Sequence, residues 1–443
     1  MGNGELFGEQ SGSEGQRRKR RRPGGNEGAP RVVQADRSQL ELRPIDLDGL
    51  IPAGHRARAI WQFVEGLDLS AFYAPIKARG SQPGRSPSDP KVLLALWVYA
   101  LSNGVGRARE LERLCEAHDA YRWLRGGVPL NYHTLSDFRW RHRAAVDELL
   151  STVLAVLLHQ GVITLRRVAQ DGVRVRASAG SNSFRRQQRL EEWLETARAH
   201  LQALRTAPAD PSRSRRRQAA QERAARERAA RVEQALQELA TVQAMRAAQR
   251  GGKKSRGEAR ASATDPEARV LRMSDGGFRP AYNVQFATTT EGQVIVGVQV
   301  SNTHDSGQLA PTLADIERRT GQRPAEYLAD GGFAEVASVE AAAGQGVTLY
   351  TPVPARQHVD DPYAPRPGDS AAVAAWRERM GTPAAKEIYR ERAPTAERVN
   401  ADLKTWRGLG EVPLRGTQKV LAFALLNALT FNILRALALG VQL

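Results

Sequence analysis

One carboxylate lies in an unusual position within RRVAQDGVRVRASAG, residues 166–180. The segment alternates as a β-strand does, and Asp171 has the same parity as Ala169, Val173, Val175 and Ala177. Alternate residues share a face of a strand, so an extended chain directs this acid towards apolar neighbours. A carboxylate among apolar side chains is costly unless an ion pair, hydrogen bonds or a metal ion stabilises it. Asp171 is therefore a candidate for chemistry, although Asp-Gly is also typical of a turn.

A second acid is singled out by its position and not by its motif. The sequence DGGF occurs twice, at Asp275–Phe278 and at Asp330–Phe333. The residues YLA before Asp330 predict a strand that ends at this acid, whereas Asp275 lies in a Gly-rich loop. Ligands of α/β folds collect at the carboxyl ends of strands. Position therefore favours Asp330, with a simple turn as the alternative.

The third group of candidates lies in IYRERAPTAERVNADLKTWRGLG, residues 388–410. A proline suits the first turn of a helix, so Pro394 predicts that a helix begins there. Glu397 and Lys404 then share one stripe of this helix, while a separate stripe is apolar. Tyr389 and Arg392 lie just upstream. An exposed Glu–Lys face is the ordinary explanation of this pattern, and a functional site is the alternative.

The elements that must position these residues fall into two regions. From about residue 41 to 160 the pattern predicts short helices, one of them starting in NYHTLSDFRWRH with Thr134 and Asp137 in capping-box spacing. Such a set is typical of a DNA-binding domain, with Arg139 and Arg141 as candidate DNA contacts. An amphipathic bundle without special function would show the same pattern.

From residue 168 the period changes to two. PAYNVQFATTTEG and QVIVGVQVSN predict a hairpin, and helices alternating with strands follow. This order predicts a mixed α/β layer fold. An Arg- and Ala-rich insertion at about 184–264 predicts two helical arms, which are either solvated or follow DNA phosphates. The apolar segment 420–439 approaches membrane-spanning length, but Asn427, Asn432 and Arg435 predict a buried or partner-facing helix.

Charge and cysteine content limit the class of protein. Lys and Arg number 65 against 48 Asp and Glu, a net charge of +17, which indicates a polyanionic partner such as nucleic acid. The run Arg17–Arg22 contributes to this excess, and residues 1–40 are expected to be a disordered basic tail. The single Cys115 excludes an intramolecular disulfide and multi-cysteine zinc sites. A cytoplasmic protein without a signal peptide is expected.

Three segments in this order form a recognisable pattern: AQDGVRVRASAG, YLADGGF and YRERAPTAERVNADLK. The pattern resembles the DDE-type transposases of bacterial insertion sequences, within the group that carries a Tyr-Arg-Glu-Lys signature. The resemblance covers about residues 40–443. It implies a ribonuclease-H-like, mixed-sheet catalytic domain at 161–443 with the helical insertion at 184–264. A helical DNA-binding domain at 41–160 would precede it.

Carried over by position, the resemblance implies the catalytic and metal-binding acids Asp171, Asp330 and Glu397. Tyr389, Arg392 and Lys404 would be the DNA-binding companions. One departure concerns the third acid, because the familiar signature has three residues between its Arg and Glu, and here there are four. Glu391 fits less well, since it precedes Pro394 and lacks the spacing to Lys404.

The resemblance also implies cofactors and partners. Two Mg²⁺ or Mn²⁺ ions would be held by the acids, and DNA would be cut at the element ends and joined to target DNA. The bacterial protein would act on the nucleoid and form a homodimer on DNA, with no role for a membrane. The alternatives are a DNA-binding relic that has lost catalysis and a structure-specific nuclease without strand transfer. A glycosidase would have no use for the basic charge.

Overall fold

The computed structural model describes residues 46–80, 86–206, 214–248, 258–355 and 361–441. The basic tail expected at residues 1–40 lies outside the described residues. In the described chain a short 3₁₀ turn (Asp48–Leu50) and seven α-helices precede the first strand: α1 (Arg56–Glu65), α2 (Ser70–Tyr73), α3 (Pro90–Ser102), α4 (Ala108–Ala117), α5 (Asp119–Arg125), α6 (Tyr132–Arg141) and α7 (Arg143–His159).

Helix caps in this region show where two of the helices begin. The side chain of Asp89 accepts a hydrogen bond from Lys91 N at 2.9 Å, and Pro90 occupies the first turn of α3. For α6 the predicted Thr134 cap is wrong. Asn131 caps this helix, and its Oδ1 accepts from Thr134 N at 2.9 Å. Asparagine is as good an N-cap as threonine, so the helix begins three residues earlier than expected.

A mixed sheet follows, made of β1 (Arg167–Arg176), β4 (Arg269–Arg272), β5 (Phe278–Thr289), β6 (Ile295–Ser301), β7 (Glu326–Leu328) and β8 (Thr348–Tyr350). The strand order is β4-β5-β1-β7-β8, and β6 also pairs with β5. β4, β5, β6 and β1 are joined by antiparallel pairs, whereas β1, β7 and β8 run parallel. The predicted β5–β6 hairpin and the mixed α/β class are confirmed, and β4 was not predicted.

The insertion has a small core of its own. It is bounded by two short paired strands, β2 (Phe184–Arg185) and β3 (Ala261–Ser262), and contains the helices α8 (Gln187–Thr206) and α9 (Arg215–Ala248). The two predicted helical arms are therefore present. Their shared core is formed by Leu190, Val232, Ala235, Leu239 and Ala261.

The remaining helices are α10 (Leu309–Thr320), α11 (Val336–Gly344), α12 (Ala371–Gly381), α13 (Pro383–Arg390), α14 (Arg398–Trp406) and α15 (Thr417–Ala438). A π-helical turn, Ala393–Glu397, leads directly into α14. α12 and α13 were not predicted from the sequence. One continuous hydrophobic core includes residues from α1 through the sheet to α15, so the helical region and the sheet share their interior.

The helix α15 is the centre of this shared core. Among the described residues it is the single helix long and apolar enough to span a membrane, yet 78% of its apolar window is buried within the protein. Its Asn432 donates to Ile295 O at 2.8 Å and accepts from Ile295 N at 2.9 Å. The asparagine thus satisfies backbone groups of β6, and the expectation of a buried helix is confirmed.

Candidate active site

Asp171 lies on the central strand β1, which has β5 on one side and β7 on the other. Ala169, Val173 and Val175 are buried around it, as the alternating pattern predicted. The carboxylate is 19% exposed. Its Oδ1 accepts a hydrogen bond from Gly172 N at 3.0 Å. A central strand therefore fixes the position of this acid, with buried apolar residues before and after it along the strand.

The surroundings of Asp171 favour its protonated form. Burial raises the pKa of this carboxyl to about 6, and the negative charges of Asp330 and Asp305 act in the same direction. The positive charge of Arg392 opposes them. The ionised form of a buried carboxyl group that lies near other carboxylates is stabilised by a cation close to it. The site therefore favours positive charge next to Asp171.

Asp330 reaches the same level of the sheet from the neighbouring strand. Ala169 pairs with Leu328 in the parallel β1–β7 ladder, so Asp330 follows β7 next to Asp171. Its side chain accepts a hydrogen bond from Gly332 N at 2.6 Å at the start of a 3₁₀ turn. By contrast, Asp275 is exposed between β4 and β5 and pairs with Arg279 at 2.7 Å. Of the two DGGF motifs, the second thus places its aspartate beside Asp171, whereas the first has its aspartate in an exposed loop.

The third acid is brought towards the first by Arg392. The Nη2 atom of Arg392 lies 2.5 Å from Glu397 Oε1, and its Nη1 lies 3.8 Å from Asp171 Oδ1. Burial lowers the pKa of Arg392, but Tyr389 and all three acids raise it, and the net shift is upwards. Arg392 therefore pairs with Glu397, which is 53% exposed, and lies near Asp171, although its Nη1 has no hydrogen-bond partner. Its positive charge also acts on Asp330.

The extra residue between Arg392 and Glu397 has a structural counterpart. The five residues Ala393–Glu397 form a π-helical turn, which holds one residue more than an α-helical turn. The side chains on both sides of such a turn keep the relative position that the shorter spacing would give them. The departure from the expected spacing is thus compatible with the Arg392–Glu397 ion pair.

Of the other signature residues, Tyr389 lies beside Arg392, whereas Lys404 lies against a different loop. Tyr389 is half-buried with its ring 5.9 Å from the Arg392 guanidinium. Lys404 instead donates to Ser274 Oγ at 3.1 Å, in the loop between β4 and β5, and the described residues show no Lys404–Glu397 ion pair. Glu391 is held by Arg167, which also binds Glu326 at 2.6 Å. Glu391 is therefore engaged away from the acids.

Two residues near the acids were not found by sequence reasoning. Asp305, in the loop after β6, accepts hydrogen bonds from Asn283 at 2.9 Å and Gln285 at 2.8 Å. Any side chain at Gly172 would collide with its carboxylate, which explains the glycine after Asp171. Asn400 of α14 donates to Asp171 Oδ2 at 3.3 Å. Neither residue has a distinctive local pattern, since both act through contacts with distant parts of the chain.

A divalent metal ion fits the donor chemistry of this site. Hard ions such as Mg²⁺ prefer oxygen ligands, and the acids together with the Asn400 carbonyl supply only oxygens. The buried Oδ1 of Asn400 has no hydrogen-bond partner. Within the described part of the chain, no three acidic, histidine or cysteine side chains already converge closely enough to hold a metal. Binding would therefore require the side chains to move, and Arg392 now supplies the positive charge.

The candidate DNA contacts of α6 are not equivalent. Arg139 is 3% exposed, donates to Gly106 O at 2.6 Å and stacks 4.7 Å from the Trp97 ring. Burial lowers its pKa to about 10. The expectation that Arg139 contacts DNA is therefore wrong, because its guanidinium belongs to the core. Thr134 is half-buried, and Arg141 is exposed and pairs with Asp137 at 3.0 Å.

A polar groove lies at the carboxyl end of β1. It has a volume of about 620 Å³, and its lining includes Arg176, Arg279 and Arg415. Arg415 donates to Ser178 O at 3.1 Å, whereas Arg279 is paired with Asp275. The sequence indicated a distributed basic charge but not that these three arginines would meet. Glu411 also lines the groove, so its charged residues carry a net positive charge.

Comparison with known families identifies the class of protein. Residues 45–141 match the family model described as Transposase domain (DUF772), and residues 245–433 match the one described as Transposase DDE domain. The two matches identify a transposase, and more particularly a DDE-type transposase of an insertion sequence. It is an enzyme that acts on DNA, in a family that depends on divalent metals. No curated protein and no solved structure matches the chain.

The matched ranges bear differently on the three acids. Asp330 and Glu397 lie within residues 245–433, whereas Asp171 lies between the two matched ranges. The case for Asp171 therefore depends on the geometry of β1 and on its contacts with Arg392 and Asn400.

Proposed function

We propose that Asp171, Asp330 and Glu397 are the catalytic acids with which this transposase cuts DNA at the ends of its element. The observation that carries the proposal is the position of Arg392, whose guanidinium pairs with Glu397 and interacts with both aspartates. Acids from a central strand, a strand end and a separate helix have no structural need to share one cation. A site that binds metal ions and a phosphate explains their arrangement.

The fold and domains follow from the same proposal. The catalytic domain would span residues 161–443 in a ribonuclease-H-like fold, with the insertion at 184–264. The support is the sheet, in which antiparallel strands around β1 are followed by the parallel β7 and β8. Residues 41–160 would supply the DNA-binding helices, which share one hydrophobic core with the sheet. Residues 1–40 would be a basic tail that adds phosphate contacts of no sequence preference.

Two Mg²⁺ or Mn²⁺ ions would be held by Asp171, Asp330 and Glu397. When bound, such ions supply a nucleophile and neutralise charge at phosphorus. The protein's own residues then have separate tasks. The β1 backbone orients Asp171, and the turn after β7 orients Asp330 through Gly332 N. Arg392 is released from the acids and binds phosphate, with Tyr389 beside it to position the DNA strand.

DNA would reach the acids over basic surface at both ends of the site. Lys404 and the arginines Arg176 and Arg415 would hold backbone phosphates, while Thr134 and Arg141 of α6 would contact the element ends. Arg176 is exposed, and so is Arg141. Two element ends must meet during transposition, so we propose a homodimer on DNA. Joining of the freed 3′-hydroxyl to target DNA, within the bacterial nucleoid, would complete the reaction.

The test is incubation of the purified protein with DNA that carries its element ends, in Mg²⁺ or in EDTA. Asp171→Ala and Asp330→Ala should each abolish cleavage and leave end binding largely intact. Asp275→Ala is the matched control, because it alters the other DGGF motif at an exposed position. Normal cleavage by either of the first two variants would show that its assignment is wrong.

The same experiment separates the alternatives. Tight binding of element ends without cleavage in any divalent metal would favour a DNA-binding relic. Cleavage without joining of the 3′-hydroxyl to a second DNA would favour a nuclease that lacks strand transfer.

A further inference from the structure

The side chain of Asn400 lies against the acid that the proposed mechanism depends on most. Asn400 is on α14, one helical turn after Glu397, and is 7% exposed. Its Nδ2 donates to Asp171 Oδ2 at 3.3 Å, while Gly172 N binds the other carboxylate oxygen. The two donors together restrict rotation of the Asp171 carboxylate. Asn400 therefore positions Asp171 from the opposite element of the site.

The other end of the same amide is unsatisfied. Asn400 Oδ1 is buried and has no hydrogen-bond partner in the structure. A buried carbonyl oxygen without a partner is costly, and here it belongs to an amide that already touches a carboxylate. An oxygen in this position attracts either a proton donor or a cation. The carboxylate of Asp171, bound to the same amide, adds negative charge nearby and favours a cation.

Reversing the amide would not remove the difficulty. In the reversed orientation Oδ1 would face Asp171 Oδ2, and two electron-rich oxygens would oppose one another. The fold can satisfy a buried asparagine completely, since Asn432 uses both ends of its amide on Ile295. Asn427 and Asn283 also have an unpartnered Oδ1. The Nδ2 of Asn427 binds Phe423 O in its own helix, and that of Asn283 binds Asp305, so Asn400 is the one of the three whose amide binds a proposed catalytic acid.

We propose that Asn400 is a further oxygen donor of the metal site: its amide nitrogen positions Asp171, and its carbonyl oxygen binds the divalent ion directly or through a water of hydration. This inference rests on the proposed function of the acids. Carbonyl oxygens of asparagine combine with carboxylates around hard cations. Asn400 adds a ligand without adding another negative charge to a site that already has several.

The experiment measures Mn²⁺ binding to the full-length protein by calorimetry, without DNA and without turnover. Asn400→Leu keeps the approximate shape and removes the oxygen, and we expect affinity to fall by about tenfold or more. Asn400→Asp restores an oxygen donor and should bind Mn²⁺ more tightly than Asn400→Leu. Asn427→Leu is the matched control, with unchanged Mn²⁺ affinity expected.

The outcomes distinguish this inference from the proposed function. If Asn400→Leu binds Mn²⁺ as the wild type does while Asp171→Asn loses binding, the inference is overturned and the proposed function stands. If Asp171→Asn also binds normally, the proposed site itself is overturned. Should Asn400→Leu fail to melt cooperatively, Asn400→Ser decides the matter by the same comparison with Asn400→Asp. Equal affinities of the Ser and Asp variants would then overturn the inference.

Discussion

Arg392 and Glu397 form an ion pair with 2.5 Å between Nη2 and Oε1, across a π-helical turn. A turn of this kind is commonly an α-helix that has gained one residue, and such turns are frequent at functional sites. The pair also places a cation at 3.8 Å from Asp171. Arg392 thus links the π turn that carries Glu397 with the strand that carries Asp171.

Deleting Ala393 should turn the π turn into an α-helical one without changing the faces of the residues on either side. We expect the variant to fold and to cut element ends within about tenfold of the wild-type rate. Deleting the exposed Ala401 of α14 is the control, because it rotates Lys404 by about 100° relative to Glu397. Both are measured by cleavage of labelled DNA. Equal loss in the two variants would mean that the π turn is itself required.

The raised pKa of Asp171 predicts how stability depends on pH in EDTA. The folded carboxyl, with a pKa of about 6, binds its proton more tightly than the unfolded one, whose ordinary value is 3.8. The free energy of unfolding should therefore fall between pH 4 and pH 6 as Asp171 ionises, by an amount on the order of 3 kcal/mol. Asp171→Asn should lack this fall and be more stable at pH 8. Urea unfolding of the wild type and of Asp171→Asn at pH 4 and at pH 8 measures the difference. If the free energy of unfolding changes with pH by the same amount in both proteins, the prediction is wrong.

Replacing Arg392 by Gln should make the protein more dependent on metal. The substitution leaves three acids without their shared cation, so the metal-free protein should lose about 2 kcal/mol of stability. Mn²⁺ should then raise the melting temperature of the variant more than that of the wild type. Arg390→Gln is the control, because Arg390 is exposed and pairs with Glu387 at the surface. The prediction is wrong if Mn²⁺ raises both melting temperatures equally.

Arg139 and Arg141 lie two residues apart on α6, yet substitution by Gln should affect stability at Arg139 and DNA binding at Arg141. Arg139→Gln leaves the Gly106 carbonyl unpaired in the core and should cost about 2–3 kcal/mol in urea unfolding. Arg141→Gln should leave stability within about 0.5 kcal/mol. It should also reduce the salt dependence of DNA binding by about one unit of slope, seen by fluorescence anisotropy at several salt concentrations. A stable Arg139→Gln protein with weakened DNA binding would reverse our conclusion.

The arginines of the groove should act through phosphate contacts alone. Arg176→Gln should weaken binding of element ends and of unrelated DNA by similar factors, because phosphate contacts carry no sequence information. Competition assays with both DNAs at fixed salt measure the two factors. A selective loss of binding to element ends would instead show that Arg176 takes part in sequence recognition.

Local patterns in the sequence determined much of the secondary structure. Alternation around Asp171 predicted its buried strand, the two β-rich runs predicted the β5–β6 hairpin, and the polar residues of α15 predicted a buried helix. These features follow from side-chain periodicity within one element, which a few neighbouring residues specify. The helices α12 and α13 and the strand β4 were missed. α12 (AAVAAWRERMG) has alanines on several sides of the helix and no single apolar stripe, and β4 has only four residues.

Tertiary structure alone decided which side chains share a space. Periodicity placed Glu397 and Lys404 on one helical face, yet Glu397 pairs with Arg392 and Lys404 with Ser274. It could not show that Arg139 is covered by Trp97 and Phe423, or that Asn400 reaches Asp171. Each of these contacts joins residues that are distant in the chain or separated by an irregular turn. The sequence determines the face of a residue within its element, whereas packing between elements determines what that face meets.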